Sequence, residues 1–96
     1  MIVVLLKFSK NKSKAAELMD DHNQWIMNGF DDGVFLLVGS LQPNLGGSVI
    51  AHNLTMSELQ DRVNSDPFVA MNVGSAEILE IDAKKADERL SFLVSK

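Results

Sequence analysis

The order of apolar runs and helix signals predicts an α+β chain that runs strand, helix, strand, strand, helix, strand. Three observations carry this. Ile2–Leu6 and Val34–Val38 are apolar runs with β-branched residues, short enough to be strands. Between them, Ala15, Leu18, Trp25, Ile26 and Gly29 recur at intervals of three and four, the spacing of one helix face. Thr55-Met56-Ser57-Glu58 and Asp66-Pro67 are then helix starts, a capping box and an N-cap followed by proline.

Taken in order, residues 2 to 8 form the first strand, ending in Phe8. Asn11 or Ser13 is expected to cap the first helix, and Gly33 to stop it after Asp31 and Asp32. Gly29 weakens a helix by about 1 kcal/mol against alanine, which places a neighbouring element close by. The second strand runs from Val34 to about Gly39. Pro43, Asn44, Gly46 and Gly47 mark a turn, and Ser48 to His52 reads as the third strand. Leu59 and Val63 give the second helix its inward face. Asp66-Pro67 restarts a helix through Phe68, Val69 and Met71, with Gly74 as its end. Ala76 to Ile81 is the fourth strand, and Leu90, Leu93 and Val94 make either a short last helix or a segment that packs on a partner. This is the split βαβ order of a ferredoxin-like fold: a four-stranded antiparallel sheet with helices on one face.

At 96 residues the chain is expected to be one domain, residues 1–96. Its net charge is −4, and the lysines cluster only at the two ends without forming a face, which argues against nucleic acid as a partner. With no cysteine, disulfides and thiolate chemistry are excluded. The opening apolar run is too short for a signal-peptide core or a membrane span, so no membrane partner is expected. A soluble cytoplasmic protein is the resulting expectation.

The strands say more. A sheet covered on one face alternates apolar and polar residues, yet Ile2–Leu6 and Val34–Val38 are apolar throughout. Both faces must be covered. A homodimer with two sheets face to face does this, and the C-terminal tail folding across the open face is the alternative.

His22 is the best lead to chemistry. It lies on the apolar stripe of the first helix, four after Leu18 and three before Trp25. An inward imidazole needs a hydrogen-bond partner, and it serves either as a general acid/base or as a core histidine. Asp20 and Asp21 point elsewhere on the helix and are not that partner. Asp66, before Pro67, reads as an N-cap. Ser40 follows Gly39 at a strand end but lacks the nucleophile-elbow pattern. His52 precedes a helix cap and is expected to be exposed. No two histidines share a helix face and no carboxylate stands three or four from His22, so no metal is expected.

Val3-Val4-Leu5-Leu6, Asp21-His22 ahead of Trp25-Ile26, Gly33 to Gly39, Gly46 to Ile50, Asp66-Pro67-Phe68-Val69 and Ala76-Glu77-Ile78 together resemble the YCII-related family. The resemblance spans residue 2 to about 82. It implies a ferredoxin-like fold paired into a dimeric α+β barrel, with His22 and Asp66 as a catalytic pair facing a cleft. On that reading one carboxylate oxygen of Asp66 caps its helix while the other holds the imidazole in one tautomer, as in a catalytic triad. Where relatives often carry an arginine one turn before the histidine, this chain has Met19. A few relatives are implicated in cofactor-free elimination, such as dehydrochlorination of an aromatic intermediate.

The expected function is a cofactor-independent lyase, isomerase or hydrolase acting on a small, cyclic organic molecule. His22 moves the proton, Asp66 fixes it, and Trp25, Gly39, Ser40 and Phe68 shape the substrate cleft. The rival is a non-catalytic dimerisation or small-ligand-binding module. A cleft that is open and polar at His22 separates the first from a cleft filled by side chains. Haem or flavin, held by other dimeric α+β barrel families, has no residue that marks it here.

Overall fold

The computed structural model describes residues 1–94. Its elements are β1 (Ile2–Phe8), α1 (Ala15–Asp31), β2 (Phe35–Leu41), β3 (Gly46–Ala51), α2 (Met56–Asn64), α3 (Pro67–Ala70) and β4 (Gly74–Glu80), with 3-10 turns at Lys12–Lys14 and Glu88–Leu93. The sheet order is β2-β3-β1-β4, and every neighbouring pair is antiparallel. That is the ferredoxin-like arrangement, with α1, α2 and α3 on one face.

Several boundaries differ from the sequence reading. Gly46 and Gly47 open β3 rather than forming the turn, pairing with Lys7 and Leu6 of β1. Gly46 takes φ +139°, and a side chain there would overlap the Leu6 carbonyl, so glycine is needed inside the strand. Gly74 does not end a helix. It pairs with Phe8 as the first residue of β4, and the turn is made by Asn72 at φ +58°. Neither Asn11 nor Ser13 caps α1: a 3-10 turn intervenes and Lys14 holds the cap position without a side-chain bond. Asn11 Nδ2 instead donates to the Met71 carbonyl at 2.9 Å, tying the β1–α1 connection to the loop before β4.

The core is the helix-facing row of each strand packed against one side of the helices. Ile2, Val4 and Leu6 of β1 and Val49 and Ala51 of β3 meet Trp25, Leu59 and Val63. Val34 and Phe35 close the end of the sheet nearest the C-terminus of α1. Here Gly29 does what its cost in a helix suggests. A methyl at this position would overlap the Phe35 ring, which is itself only 4% exposed. Gly29→Ala is therefore expected to destabilise by about 1–3 kcal/mol through overpacking, although alanine is the better helix former. A urea midpoint equal to or above wild type would show that the ring has room to move.

The Thr55 capping box is complete: the Thr55 hydroxyl accepts from Glu58 N at 3.1 Å, and Glu58 accepts from Thr55 N at 2.8 Å. That backbone bond, with the Thr55 side chain, holds the Glu58 carboxyl below its ordinary 4.5. The resulting support for α2 is present above that value and fades as pH falls through the lower folded-state value. Thr55→Ala is expected to cost about 1 kcal/mol at neutral pH, measured as a urea-midpoint shift. No shift would mean that the capping bonds add nothing net.

The other face of the sheet carries one apolar row from edge to edge. Leu37 pairs with Ile50, Ile50 with Val3, and Val3 with Leu79. Leu37 is 52% exposed and Leu79 45%. The described part of the tail leaves both of them exposed. Its Phe92 meets His52 edge-on at 5.6 Å, which leaves His52 half-buried rather than exposed, and Leu90 and Phe92 themselves face solvent.

Candidate functional site

Two helices build the site. On α1, Met19, His22, Asn23 and Ile26 fall within two turns on the side that looks over the β2–β3 hairpin. From α3 come Asp66, its N-cap, and Phe68, because proline at the first helical position fixes where this short helix begins. His22 Nδ1 lies 2.7 Å from Asp66 Oδ1. The imidazole stacks flat on Phe68, with ring centroids 3.9 Å apart and planes within 1°.

The geometry assigns the proton. Asp66 Oδ1 also accepts the Phe68 N–H at 3.2 Å, so the carboxylate is the acceptor and Nδ1 the donor. Nε2 is then the ring nitrogen left to act outside the pair. One oxygen thus does both jobs, whereas the sequence reading divides capping and orienting between the two. Asp66 Oδ2 is buried with no hydrogen-bond partner among the described residues. Asp66 as a whole has no exposed surface, and the His22 side chain keeps 13%. A buried carboxylate with an idle oxygen is costly in a core and is the kind of exception that functional sites keep.

His22 opens on a cavity of about 370 Å³ between α1 and the sheet, within the usual range for small-molecule sites. Leu6, Val38 and Val49 line it from the sheet, Met19 and Ile26 from α1, and Phe68 from α3. Asn23, Ser40 and Ser48 add polar groups, and among the described residues no Lys, Arg, Asp or Glu lines it. The cleft is open at His22 rather than filled.

Of the residues singled out from sequence, His22, Gly39, Ser40 and Phe68 line this cavity, and Asp66 stands behind His22. Trp25 does not line it. Its indole sits edge-on to Phe35 and donates from Nε1 to the Arg62 carbonyl at 2.8 Å, a core position. Met19 and Ile26 were legible as the helical neighbours of His22 at −3 and +4, whereas Asn23, at +1, was not. Gly47 was hidden by its reading as a turn.

Trp25 borders instead a larger groove of about 600 Å³ between α1 and α2, with Asp31, Asp32, Glu58, Asp61 and Arg62. Its charges answer one another: Arg62 pairs with Asp32 at 2.8 Å and Glu58 belongs to the capping box. It is open and acidic, with no histidine. The smaller cavity, where apolar walls converge on a buried polar pair, is the candidate site. Among the described residues, no three His, Cys, Asp or Glu side chains gather as a metal site would require. No described helix is long and apolar enough to cross a membrane.

No protein-family model matches the chain, and no curated protein matches it by sequence. A solved structure does match in fold: the 5-chloro-2-hydroxyhydroquinone dehydrochlorinase of Burkholderia phenoliruptrix, in complex with 2,5-dihydroxybenzoquinone. The two superpose with a TM-score of 0.68 over 84% of this chain and 93% of that one, at 11% identity. The chain shares with that protein the ferredoxin-like α+β fold, a four-stranded antiparallel sheet with helices on one face. At this identity the likeness is one of fold.

Proposed function

We propose that this chain is a cofactor-independent enzyme of the lyase, isomerase or hydrolase type, acting on a small cyclic organic molecule. The observation that carries the reading is His22, held by Asp66 at 2.7 Å, on the wall of a mostly apolar cavity. Nε2 takes a proton from a carbon or hydroxyl of the bound molecule. Asp66 holds the imidazolium so formed, and the proton then returns to a leaving group or to another substrate atom. Gly39, Ser40 and Phe68 contact the substrate. The dehydrochlorinase with this fold acts on a substituted hydroquinone, which supports that substrate class here.

The same reading takes the whole chain, residues 1–96, as one YCII-related domain of the cytoplasm, working as a homodimer. The exposed apolar row on the bare sheet face, whose Leu37 and Leu79 the described part of the tail leaves exposed, supports the second copy.

The test is a panel of substituted and chlorinated hydroquinones offered to the wild type and to His22→Gln. The substitution is expected to lower turnover about 100-fold, the scale of a lost general acid/base. A variant that keeps its turnover removes His22 from the chemistry. A wild type that leaves every panel member unchanged, with no movement of its His22 ring resonances, sinks the reading altogether. If the ring resonances move without turnover, the site belongs to a ligand-binding module.

A further inference from the structure

Gly47 has no conformational reason to be glycine. Unlike Gly46, it lies outside the left-handed region, one residue in from the end of ladders that pair it with Leu6 on one side and Ser40 on the other. Two residues along the same strand, Val49 is 2% exposed, so position 47 faces the helices too. A bare residue inside a strand weakens it and marks a place where another body comes close to the backbone. Among the described residues, no protein group does so. A Cβ built at Gly47 would meet one atom within 4 Å, the Gly39 carbonyl oxygen at 3.6 Å, an ordinary contact. The remaining space is the cavity that His22 lines from the helix above.

We infer that Gly47 is the specificity-determining residue of this site: its uncovered strand backbone is the seat of a flat ring lying between β3 and α1. The inference rests on the reading of the His22 cavity as a ligand site. A ring supplies further apolar contact to Leu6, Val38, Val49 and Ile26 where they line the cavity, and its planar shape fits against a strand that projects no side chain at Gly47. The space is ample, since an apolar cavity of about 150 Å³ already takes up benzene. A β-branched side chain at this position would occupy the seat itself. Its effect on the fold is opposite in sign, because valine suits a strand better than glycine does.

The experiment follows the cavity methyls of Leu6, Ile26, Val38 and Val49 by NMR while phenol and 2-naphthol are added to the intact protein. The wild type is expected to give saturable shifts with both. Gly47→Val is expected to bind 2-naphthol at least tenfold more weakly, with a denaturation midpoint at or above wild type. Gly47→Ala, one carbon larger, is expected to lose 2-naphthol before phenol. A Gly47→Val protein that binds both as the wild type does overturns the inference, as does a wild type whose cavity methyls respond to neither. If Gly47→Val drops below the wild-type midpoint, the alanine variant decides. The His22 reading is judged separately: ring binding lost in Gly47→Val, alongside wild-type turnover in His22→Gln, keeps the seat and discards the base.

Discussion

Asp66→Ala is expected to lower stability by about 2–4 kcal/mol, a large share of what a chain of this size holds. Two losses add. The helix start at Pro67 loses its capping oxygen, at about 1 kcal/mol. The Nδ1–H of His22, mostly buried against Phe68, loses its acceptor, which costs a further ~1–3 kcal/mol. Asp66→Asn keeps an oxygen at the Oδ1 position for both N–H groups but puts an amide donor where Oδ2 has no neighbour. It should recover part of the loss without restoring it. Urea midpoints at one fixed protein concentration read all three proteins. An alanine variant with an unchanged midpoint would show that the bonds at Oδ1 add nothing net to the fold.

Leu37→Asp is expected to turn a dimer into a monomer. Leu37 ends the apolar row that crosses all four strands, and at 52% exposure it lends little to its own chain's core. Two facing sheets would bury it twice over. A charge there removes apolar contact in both copies and leaves two carboxylates without partners, so dimer dissociation should strengthen about 1,000-fold. Light scattering at micromolar concentration should give about twice the 10.6 kDa chain mass for the wild type and the single-chain mass for the variant. A monomeric wild type, or a dimer that ignores the charge, would leave the row to some other partner.

These two predictions also show what the sequence could reveal. Local signals with a strict chemical basis read correctly: the capping box at Thr55, the cap at Asp66, and the close approach at Gly29. Glycine read poorly wherever its role is set by a neighbour distant in sequence. Gly46 and Gly74 fit turn and stop patterns, but cross-strand pairing with Lys7 and Phe8 decides their conformation. The start of α1 was misplaced for a similar reason, since Asn11 is recruited by Met71, sixty residues away. The helical neighbours of His22 were within reach of simple periodicity. Which strand residues lie beneath them was not, because that depends on how β2 and β3 register against β1. Trp25 sits three residues from His22 and still belongs to the core, a difference that packing alone decides.

The close fit of Gly29 against Phe35 is near the C-terminal end of α1, whereas the cavity lies along its middle turns, above the β2–β3 hairpin. The helix is thus clamped near one end and presents varied side chains to the cavity from its middle. Mutational drift can act at Met19, Asn23, Ser40 and Gly47 with little loss of packing, since none of them is in the buried core. Asp66 alone joins a duty in the fold, as the cap of α3, to its proposed one as the partner of His22. A library randomised at those four positions on a fixed His22–Asp66 pair would therefore be largely folded, and selection on it would sort ligand preference with little interference from stability.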